Sequence, residues 1–256
     1  MPKEAFENPM DDINERQKQL LNQLRENRFL TIPELAQRLY ASVATIRRDL
    51  KKLESMNLAK ITQGNACLVQ KADDLPLNMF KKTNIEEKKE IAQKAVKLIN
   101  EKDVLFLDAS ATVSTILEYL SSFKNLTIFT NGLETALKAT NLGFETVLIG
   151  GRIRAISSCC YGSLAEAMMQ LVHFNTTFFS APGLSSSGEL THYSPDQISL
   201  IQTAIRRSAS SYFLCVSPKL GKTYTYHLCN ADEITGIIHN EDPELPFPSF
   251  FPQIDK

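Results

Sequence analysis

Six short apolar runs between residues 104 and 238 constrain the fold of this chain most strongly. They read VLFL, LTIF, TVLI, TTFFS, YFLCV and ITGII, and most of them are separated by a helical pattern. Strands that alternate with helices build a parallel sheet covered by helices on both faces. The larger part of the chain is therefore predicted to be an α/β domain, with ligands bound beyond the carboxyl ends of its strands.

The loops after the first three runs carry small and polar residues. The first run ends at Asp108 and a helix starts just beyond it, where unpaired N–H groups and the helix dipole favour negative charge. Each loop alone is compatible with ordinary capping and turn chemistry, but all three meet at one edge of the sheet. Together they predict an anion-binding site formed by Asp108, Ser110, Ala111, Thr112, Thr130, Asn131, Gly150 and Gly151.

Charge is distributed unevenly along the 256 residues, whose length suits one small module and one domain of ordinary size. From Glu15 to Lys60 ten Lys and Arg face five Asp and Glu, a surplus of five positive charges. The formal net charge is −1, so the rest of the chain carries −6. This distribution suits a module that binds nucleic acid joined to a domain that does not.

The basic region has the pattern of a helix-turn-helix. Apolar residues recur at helical spacing over residues 11–27 and predict an amphipathic first helix. Thr31 and Glu34 have the spacing of a capping box, which starts a second helix that ends near Tyr40. Ser42 follows almost at once and is a good N-cap for a third helix. Two helices joined by so short a link form a helix-turn-helix.

The third helix, within SVATIRRDLKKLE at residues 42–54, has two chemically different sides. At ~100° per residue, one arc of about 80° is apolar and holds Val43, Ile46, Leu50 and Leu53. The opposite arc carries Ala44, Thr45, Arg47, Arg48, Lys51 and Lys52. A solvated surface is the competing interpretation, but the second helix of a helix-turn-helix enters the major groove, where Arg reads guanine and cations hold phosphates. Asp49 lies on the flank and is expected to pair with an Arg instead of contacting DNA.

The stretch NLAKITQGNACLV after this helix alternates apolar and polar residues around a Gly-Asn pair, which predicts a hairpin. The hairpin would complete a winged helix, with Lys60 and the tip at Gly64 as contacts to the DNA backbone. The predicted DNA-binding residues are Ser42, Ala44, Thr45, Arg47, Arg48, Lys51, Lys52, Lys60 and Gly64.

Residues 69–83 show no periodicity and predict a linker between a DNA-binding domain at 11–68 and a sensing and oligomerisation domain at 84–242. The final residues, PELPFPSFFPQIDK, contain four prolines and are predicted to be non-helical.

Several classes of protein are disfavoured by the sequence. No apolar run approaches the ~20 residues of a membrane span, and the N-terminus lacks the apolar core of a secretory signal, so the cytoplasm is the expected location. Five cysteines form no C-x-x-C pair and are expected to be reduced. Four histidines show no ligand spacing, so neither metal nor cofactor is expected.

The motifs resemble those of the DeoR family of bacterial transcription regulators. TIRRDLKKLE, between LAQRLYAS and LAKITQGNA, looks like the family's DNA-binding module. FLDASAT, LTIFTN, VLIGG, FNTTFFSAPGLSSSGELT and LCVSPKLG resemble its C-terminal domain, which is similar to ribose-5-phosphate isomerase and therefore Rossmann-like. The resemblance implies operator DNA and a phosphorylated sugar or related effector as partners, and it adds Lys219 to the effector-binding residues.

The chain departs from the family pattern at several positions. Ala111 and Val113 replace hydroxyl residues of the usual D-A-G-T-T-T loop, and Asn175 and Pro182 stand where the family has acids. Ile201-Gln202 replaces a Lys-Arg pair, and Val216 replaces a further acid. Aldose–ketose isomerisation needs a positioned base, and no other catalytic motif is present, so these losses disfavour an enzyme.

The sequence therefore predicts an N-terminal winged helix-turn-helix and a C-terminal parallel-sheet sensor domain. The predicted function is regulation of carbohydrate metabolism genes, as a repressor, by a homodimer or homotetramer that responds to a phosphorylated sugar. The alternatives are a regulator whose second domain serves only oligomerisation and, third, a sugar-phosphate isomerase.

Overall fold

The computed structural model describes residues 14–27, 29–56, 58–62, 64–68, 77–81, 83–155 and 157–240. The chain divides between Met79 and Phe80 into two compact units. Gln63, next to the predicted tip at Gly64, residues 69–76 of the expected linker and the proline-rich C-terminal residues lie outside the described ranges. The end of the expected linker is not irregular, because Leu77–Lys81 forms a short helix, called α4 below.

The described residues of the small unit before α4 form these elements: α1 Glu15–Asn27, β1 Phe29–Thr31, α2 Ile32–Arg38, α3 Val43–Ser55, β2 Ala59–Thr62 and β3 Asn65–Leu68. The strands form an antiparallel sheet in the order β1-β3-β2. Thr31 and Glu34 make both hydrogen bonds of the capping box, and the Ser42 side chain accepts from the Thr45 N–H, as the sequence predicts. The order of elements is that of a winged helix. Strand β1 was not predicted.

The apolar faces of the three helices meet in one core. Its largest fully buried side chains are Leu20, Leu24, Leu35, Ile46, Leu50 and Leu53. Val43, predicted to belong to this core, is instead 37% exposed. It is the first residue of α3, so its side chain has no preceding helical turn to pack on. The predicted core side of α3 therefore begins one turn later, at Ile46.

The large unit follows with helices α5 Ile85–Val96, α6 Ala111–Ser114, α7 Leu133–Asn141, α8 Ser163–Gln170 and α9 Ile198–Arg206. Its strands are β4 Val104–Leu107, β5 Thr127–Thr130, β6 Glu145–Leu148, β7 Arg152–Arg154, β8 Cys159–Tyr161, β9 Phe174–Phe179, β10 Gly183–Leu184, β11 Glu189–His192, β12 Ser208–Cys215, β13 Tyr226–Asn230 and β14 Gly236–His239.

Six of these strands form the predicted parallel sheet, in the order β14-β12-β9-β4-β5-β6. Both faces are buried, which explains the near-continuous apolar runs. Leu105 and Leu107 pack with Ile91 of α5 on one face. Phe106 packs with residues of α8 and α9 on the other face. The predicted fold class is confirmed.

Two smaller antiparallel sheets were not predicted. One is the hairpin of β7 and β8, and the other has the order β10-β11-β13. The hairpin is attached to the end of β5, because the Cys160 N–H donates to the Asn131 carbonyl at 2.7 Å and the Leu133 N–H donates to the Ser158 carbonyl at 2.9 Å. The carboxyl edge of the large sheet therefore has more covering structure than its loops alone provide.

Other sequence expectations concern membranes, thiols and metals. Across the described ranges, no helix has the length and apolarity needed to cross a bilayer. All five cysteines are unpaired and buried. Within the same ranges, no cluster of His, Cys, Asp and Glu side chains could hold a metal ion.

Candidate functional site

Helix α3 presents most of the predicted DNA-binding residues to solvent. Ser42, Ala44, Arg47, Arg48, Lys51 and Lys52 are all exposed, while Thr45 is half-buried. The Ser42 and Thr45 hydroxyls lie 2.8 Å apart and together order the first turn of the helix. On the other side, Ile46 and Leu50 are fully buried. The helix therefore has one face fixed in the core and one cationic face available to a partner.

Asp49 is withdrawn from this cationic face. Its carboxylate accepts from Arg16 Nε at 2.5 Å and from Gln17 Nε2 at 3.2 Å, so its partners lie in α1. The hydrogen bond with Asp49 raises the pKa of the Arg16 guanidinium. The expected pairing of Asp49 with an Arg is thus made between helices. In the part of the chain that the structure describes, Arg47 and Arg48 form no ion pair, so their charge remains available to an anionic partner.

The wing is attached to the same helix. Glu54, in the last turn of α3, accepts from the Ile61 N–H of β2 at 2.9 Å. Gly64 at the tip is exposed and has φ +82°, a conformation that glycine adopts without strain. Lys60 lies in β2, pairs in register with Cys67 and is half-buried. The structure therefore brings both predicted wing contacts into one hairpin that α3 holds in place.

In the large unit, Asp108 joins the ends of two neighbouring strands. Its Oδ1 accepts from the Ser110 N–H and its Oδ2 from the Ser180 N–H, each at 2.8 Å. Ser180 follows β9, so this carboxylate connects the loop after β4 to the loop after β9. Burial raises the pKa of Asp108, and the hydrogen bonds from Ser110 and Ser180 and the charge of Lys219 oppose that shift. Asp108 therefore shapes the loop edge through backbone contacts.

Ser180 and Lys219 add a third loop to this network. The Ser180 hydroxyl donates to the Leu214 carbonyl at 2.5 Å and accepts from Lys219 Nζ, also at 2.5 Å. Burial lowers the pKa of Lys219, while Cys215 and Asp108 act in the opposite direction. Sequence reasoning missed Ser180 as a site residue. The sequence does hold one signal for Ser180: it is the polar residue that directly follows the strand-like run TTFF.

Asn131 organises the loop after β5. Its Oδ1 accepts from the Ala109 N–H and its Nδ2 donates to the Cys160 carbonyl, each at 3.1 Å. It therefore connects the loop after β4 to the β7–β8 hairpin. Thr130 is fully buried, and its hydroxyl accepts from the Gly132 N–H at 3.0 Å. The loops expected from the sequence after β4 and β5 are thus in direct contact.

The remaining predicted residues also lie at this edge: Ala111 and Thr112 are buried, Ser110 and Gly150 are half-buried, and Gly151 is exposed. Ser110 caps α6 by accepting from the Val113 N–H at 3.3 Å, and Ala111 and Thr112 are buried in that short helix. The Gly150 N–H lies 3.4 Å from the Met168 sulfur. At Gly151, with φ +141°, an added Cβ would lie 2.6 Å from the Tyr161 carbonyl oxygen, so only glycine fits.

A second polar group at this edge was not anticipated. Arg154 Nη1 donates to Ser194 Oγ at 2.9 Å and lies 3.0 Å from Asp196 Oδ2. The Ser194 N–H donates to Nδ1 of buried His192 at 2.9 Å. Burial, followed by the charges of Lys219 and Arg154, lowers the pKa of His192 to about 4. His192 is therefore a neutral hydrogen-bonding group between two cations.

One departure from the family pattern lies elsewhere. Asn175 is at the start of β9, and its Oδ1 accepts from the Val104 N–H at 2.8 Å. Since β4 and β9 are parallel, this is the opposite edge of the sheet from Asp108. Asn175 is therefore not part of the polar loop edge at Asp108. Pro182 does follow the carboxyl end of β9 and is half-buried there.

A winged helix with an exposed basic helix, followed by a parallel-sheet domain with a polar loop edge, is the architecture of a DNA-binding regulator. Models of two families match the chain: the DeoR-like helix-turn-helix domain over residues 16–72 and the DeoR C terminal sensor domain over residues 83–241. The chain belongs to the DeoR family of transcription regulators.

Several curated relatives support this assignment over nearly their whole length. The HTH-type transcriptional regulator GolR of Listeria innocua is 31% identical over 88% of this chain and 89% of its own. The L-fucose operon activator of Haemophilus influenzae is 32% identical over 91% of this chain and 94% of the activator. The lactose phosphotransferase system repressor of Staphylococcus aureus is 30% identical over 82% of this chain and 85% of the repressor.

Among solved structures, ribose 5-phosphate isomerase A from Methanocaldococcus jannaschii superposes with a TM-score of 0.41. It is 14% identical over 54% of this chain and 55% of its own. No functional conclusion is drawn from a likeness at this level.

Proposed function

We propose that the protein is an operator-binding repressor of carbohydrate metabolism genes and that α3 is its recognition helix. The observation that carries this proposal is the exposed cationic face of α3, from which Asp49 is withdrawn by its hydrogen bond with Arg16. Arg47 and Arg48 then read bases or hold phosphates, and Lys51 and Lys52 follow the DNA backbone. The proposed contacts are Ser42, Ala44, Thr45, Arg47, Arg48, Lys51, Lys52, Lys60 and Gly64.

The proposed effector is a phosphorylated sugar or a related anionic metabolite, bound at the carboxyl edge of the large sheet. Support comes from Lys219, whose ammonium group is hydrogen-bonded to a serine hydroxyl in a loop edge rich in backbone donors. The relatives named for lactose and L-fucose operons point to the same class of compound. The proposed effector residues are Asp108, Ser110, Ala111, Thr112, Thr130, Asn131, Gly150, Gly151 and Lys219.

Recognition of an operator by one helix per chain requires more than one copy of the chain. We therefore propose a homodimer or homotetramer on repeated half-sites, acting in the cytoplasm where the operator DNA lies. An effector that binds more tightly to the arrangement that is incompetent for DNA lowers operator affinity by the same factor. This role requires binding and a change of population, and no catalytic step.

The test is fluorescence anisotropy of the protein on its own upstream DNA, at fixed salt. A panel of phosphorylated sugars is then added to the complex. Release of specific DNA by one compound is the expected result. Operator binding that ignores the whole panel would contradict the effector proposal and favour a domain that serves only oligomerisation. Turnover of a sugar phosphate would contradict the regulatory role of the site.

A further inference from the structure

The described residues of 77–84, here called the junction segment, lead from the small unit into α5. Two of their backbone carbonyl groups, those of Phe80 and Thr83, accept hydrogen bonds from Lys88 Nζ, at 2.5 Å for Thr83. Lys88 is only 5% exposed. No carboxylate forms an ion pair with it in the part of the chain that the structure describes. A buried ammonium group without a carboxylate partner is unusual in proteins and suggests a role beyond stability.

The same turn of α5 also contacts the loop that carries Lys219. Glu87 Oε2 accepts from the Ser217 N–H at 2.9 Å, and Ser217 lies two residues before Lys219. The other oxygen of Glu87 accepts from Asn84 Nδ2 at 2.7 Å, within the junction segment. Burial, followed by the nearby charge of Lys219, lowers the pKa of Lys88 to about 8. One helical turn thus lies between the effector loops and the junction segment.

A second contact, with helix α7, also holds the junction segment. Lys81, at the end of α4, forms an ion pair with Glu134 of α7. Helix α7 begins directly after the loop of Thr130 and Asn131. The junction segment is therefore attached to elements that follow two of the effector loops.

We propose that Lys88 is the positioning residue that couples an anion at Lys219 to the junction segment. An ammonium group has three N–H donors, and Lys88 directs two of them to the Phe80 and Thr83 carbonyls. A bound anion neutralises Lys219, which removes the repulsion between the two ammonium groups and so holds Lys88 and its two carbonyl partners more rigidly. The inference rests on the proposed effector site and adds the route by which that site reaches the chain leading to the DNA-binding module.

Amide hydrogen exchange on the full-length protein tests this route, with inorganic phosphate as the probe and chloride at matched ionic strength as the reference. Phosphate is expected to slow exchange at the Ser110–Thr112 loop and at Phe80–Asn84. Protection of the loop without protection of Phe80–Asn84 would overturn the coupling and leave the effector site standing. Protection of neither would overturn both. These three outcomes are distinguished by measurements on the wild-type protein, without any variant.

Substitutions then assign the effect to Lys88. Lys88→Met removes the charge and retains the length of the side chain. It should abolish the protection of Phe80–Asn84 while phosphate still protects the Ser110–Thr112 loop. The matched control is Lys89→Met, because Lys89 lies next to Lys88 on α5 and pairs with Glu86 at the surface. Lys89→Met should behave like wild type. Equal protection of the junction segment in Lys88→Met and wild type would refute the role of Lys88.

Discussion

The Asp49 carboxylate of helix α3 accepts a hydrogen bond from Arg16 Nε of the first helix at 2.5 Å. Asp49 is buried while its neighbour Arg48 is exposed, so the pair lies on the side of α3 that faces the core. The acidic side chain is thereby kept away from the exposed cationic side of the helix.

Removing the Asp49 side chain should destabilise the small unit. Asp49→Ala leaves the Gln17 amide, which is 2% exposed, without its acceptor; an unsatisfied buried donor costs about 1–3 kcal/mol. Asp49→Asn retains an oxygen for Gln17 and should lose less. Urea unfolding of the three proteins measures the difference. Equal stability of Asp49→Ala and wild type would show that the contact has no net effect.

The cationic face of α3 should separate into base-reading and phosphate-holding residues. Arg47→Ala should weaken specific operator binding by about 1–3 kcal/mol if Arg47 reads a base. Lys52→Ala should weaken binding to operator and to unrelated DNA by the same factor, with a shallower salt dependence. Anisotropy titrations on both DNAs at several salt concentrations distinguish the two. Unchanged operator affinity of the Arg47/Arg48 double alanine variant would refute the assignment of α3.

Loss of the Asp108 carboxylate should abolish the effector response and leave DNA binding intact. Asp108→Ala frees the Ser110 and Ser180 N–H groups, so the loops after β4 and β9 lose their connection. The matched control is Asp103→Ala, since Asp103 is also buried and accepts from the Asn100 N–H before β4, at the other end of that strand. Operator release by the active sugar phosphate is the readout. A normal dose response in Asp108→Ala would argue against the site.

Stability should fall in mildly acidic solution because His192 is buried and neutral in the native state. Its pKa is lowered from 6.5 to about 4, so between these values the unfolded chain binds a proton that the native chain excludes. The contribution of neutral His192 to the free energy of unfolding is fully present above pH 6.5. It decreases as the pH falls toward 4, by up to about 3 kcal/mol.

The variant His192→Asn isolates this contribution. It retains an oxygen that can accept from the Ser194 N–H, and it has no titrating ring. Unfolding midpoints measured from pH 7.5 to 4 should depend less on pH in the variant than in wild type. Parallel profiles for the two proteins would show that His192 does not titrate as expected.

Local signals carried much of the fold. Period and caps identified α2 and α3, because Thr31, Glu34 and Ser42 act on backbone groups only three residues away. The apolar runs identified all six strands of the parallel sheet, since a strand that is buried on both faces has apolar residues at nearly every position. The fold class followed from these two patterns.

Features that depend on distant partners were missed. Strand β1 forms only because residues 29–31 meet residues 65–67, more than thirty positions away. Ser180 belongs to the site because its N–H donates to Asp108, 72 positions earlier, and no local sequence pattern predicts that contact. Asn175 lies at the opposite edge of the sheet from Asp108, and a motif alignment does not show at which end of a strand a residue lies. The sequence thus predicted which loops form the candidate site, but it did not predict the hydrogen bonds that connect them.

The strand order β14-β12-β9-β4-β5-β6 has a consequence for how the protein is made. The first strand of the sheet to be synthesised, β4, occupies the middle, and each later strand pairs with one that has already left the ribosome. The sheet can thus grow outward on both sides as translation proceeds, and no strand has to insert between two others. Lys219 follows the fifth of the six strands, so the proposed effector residues cannot come together until five strands have been made. A nascent chain would carry a folded DNA-binding module before it could sense any metabolite.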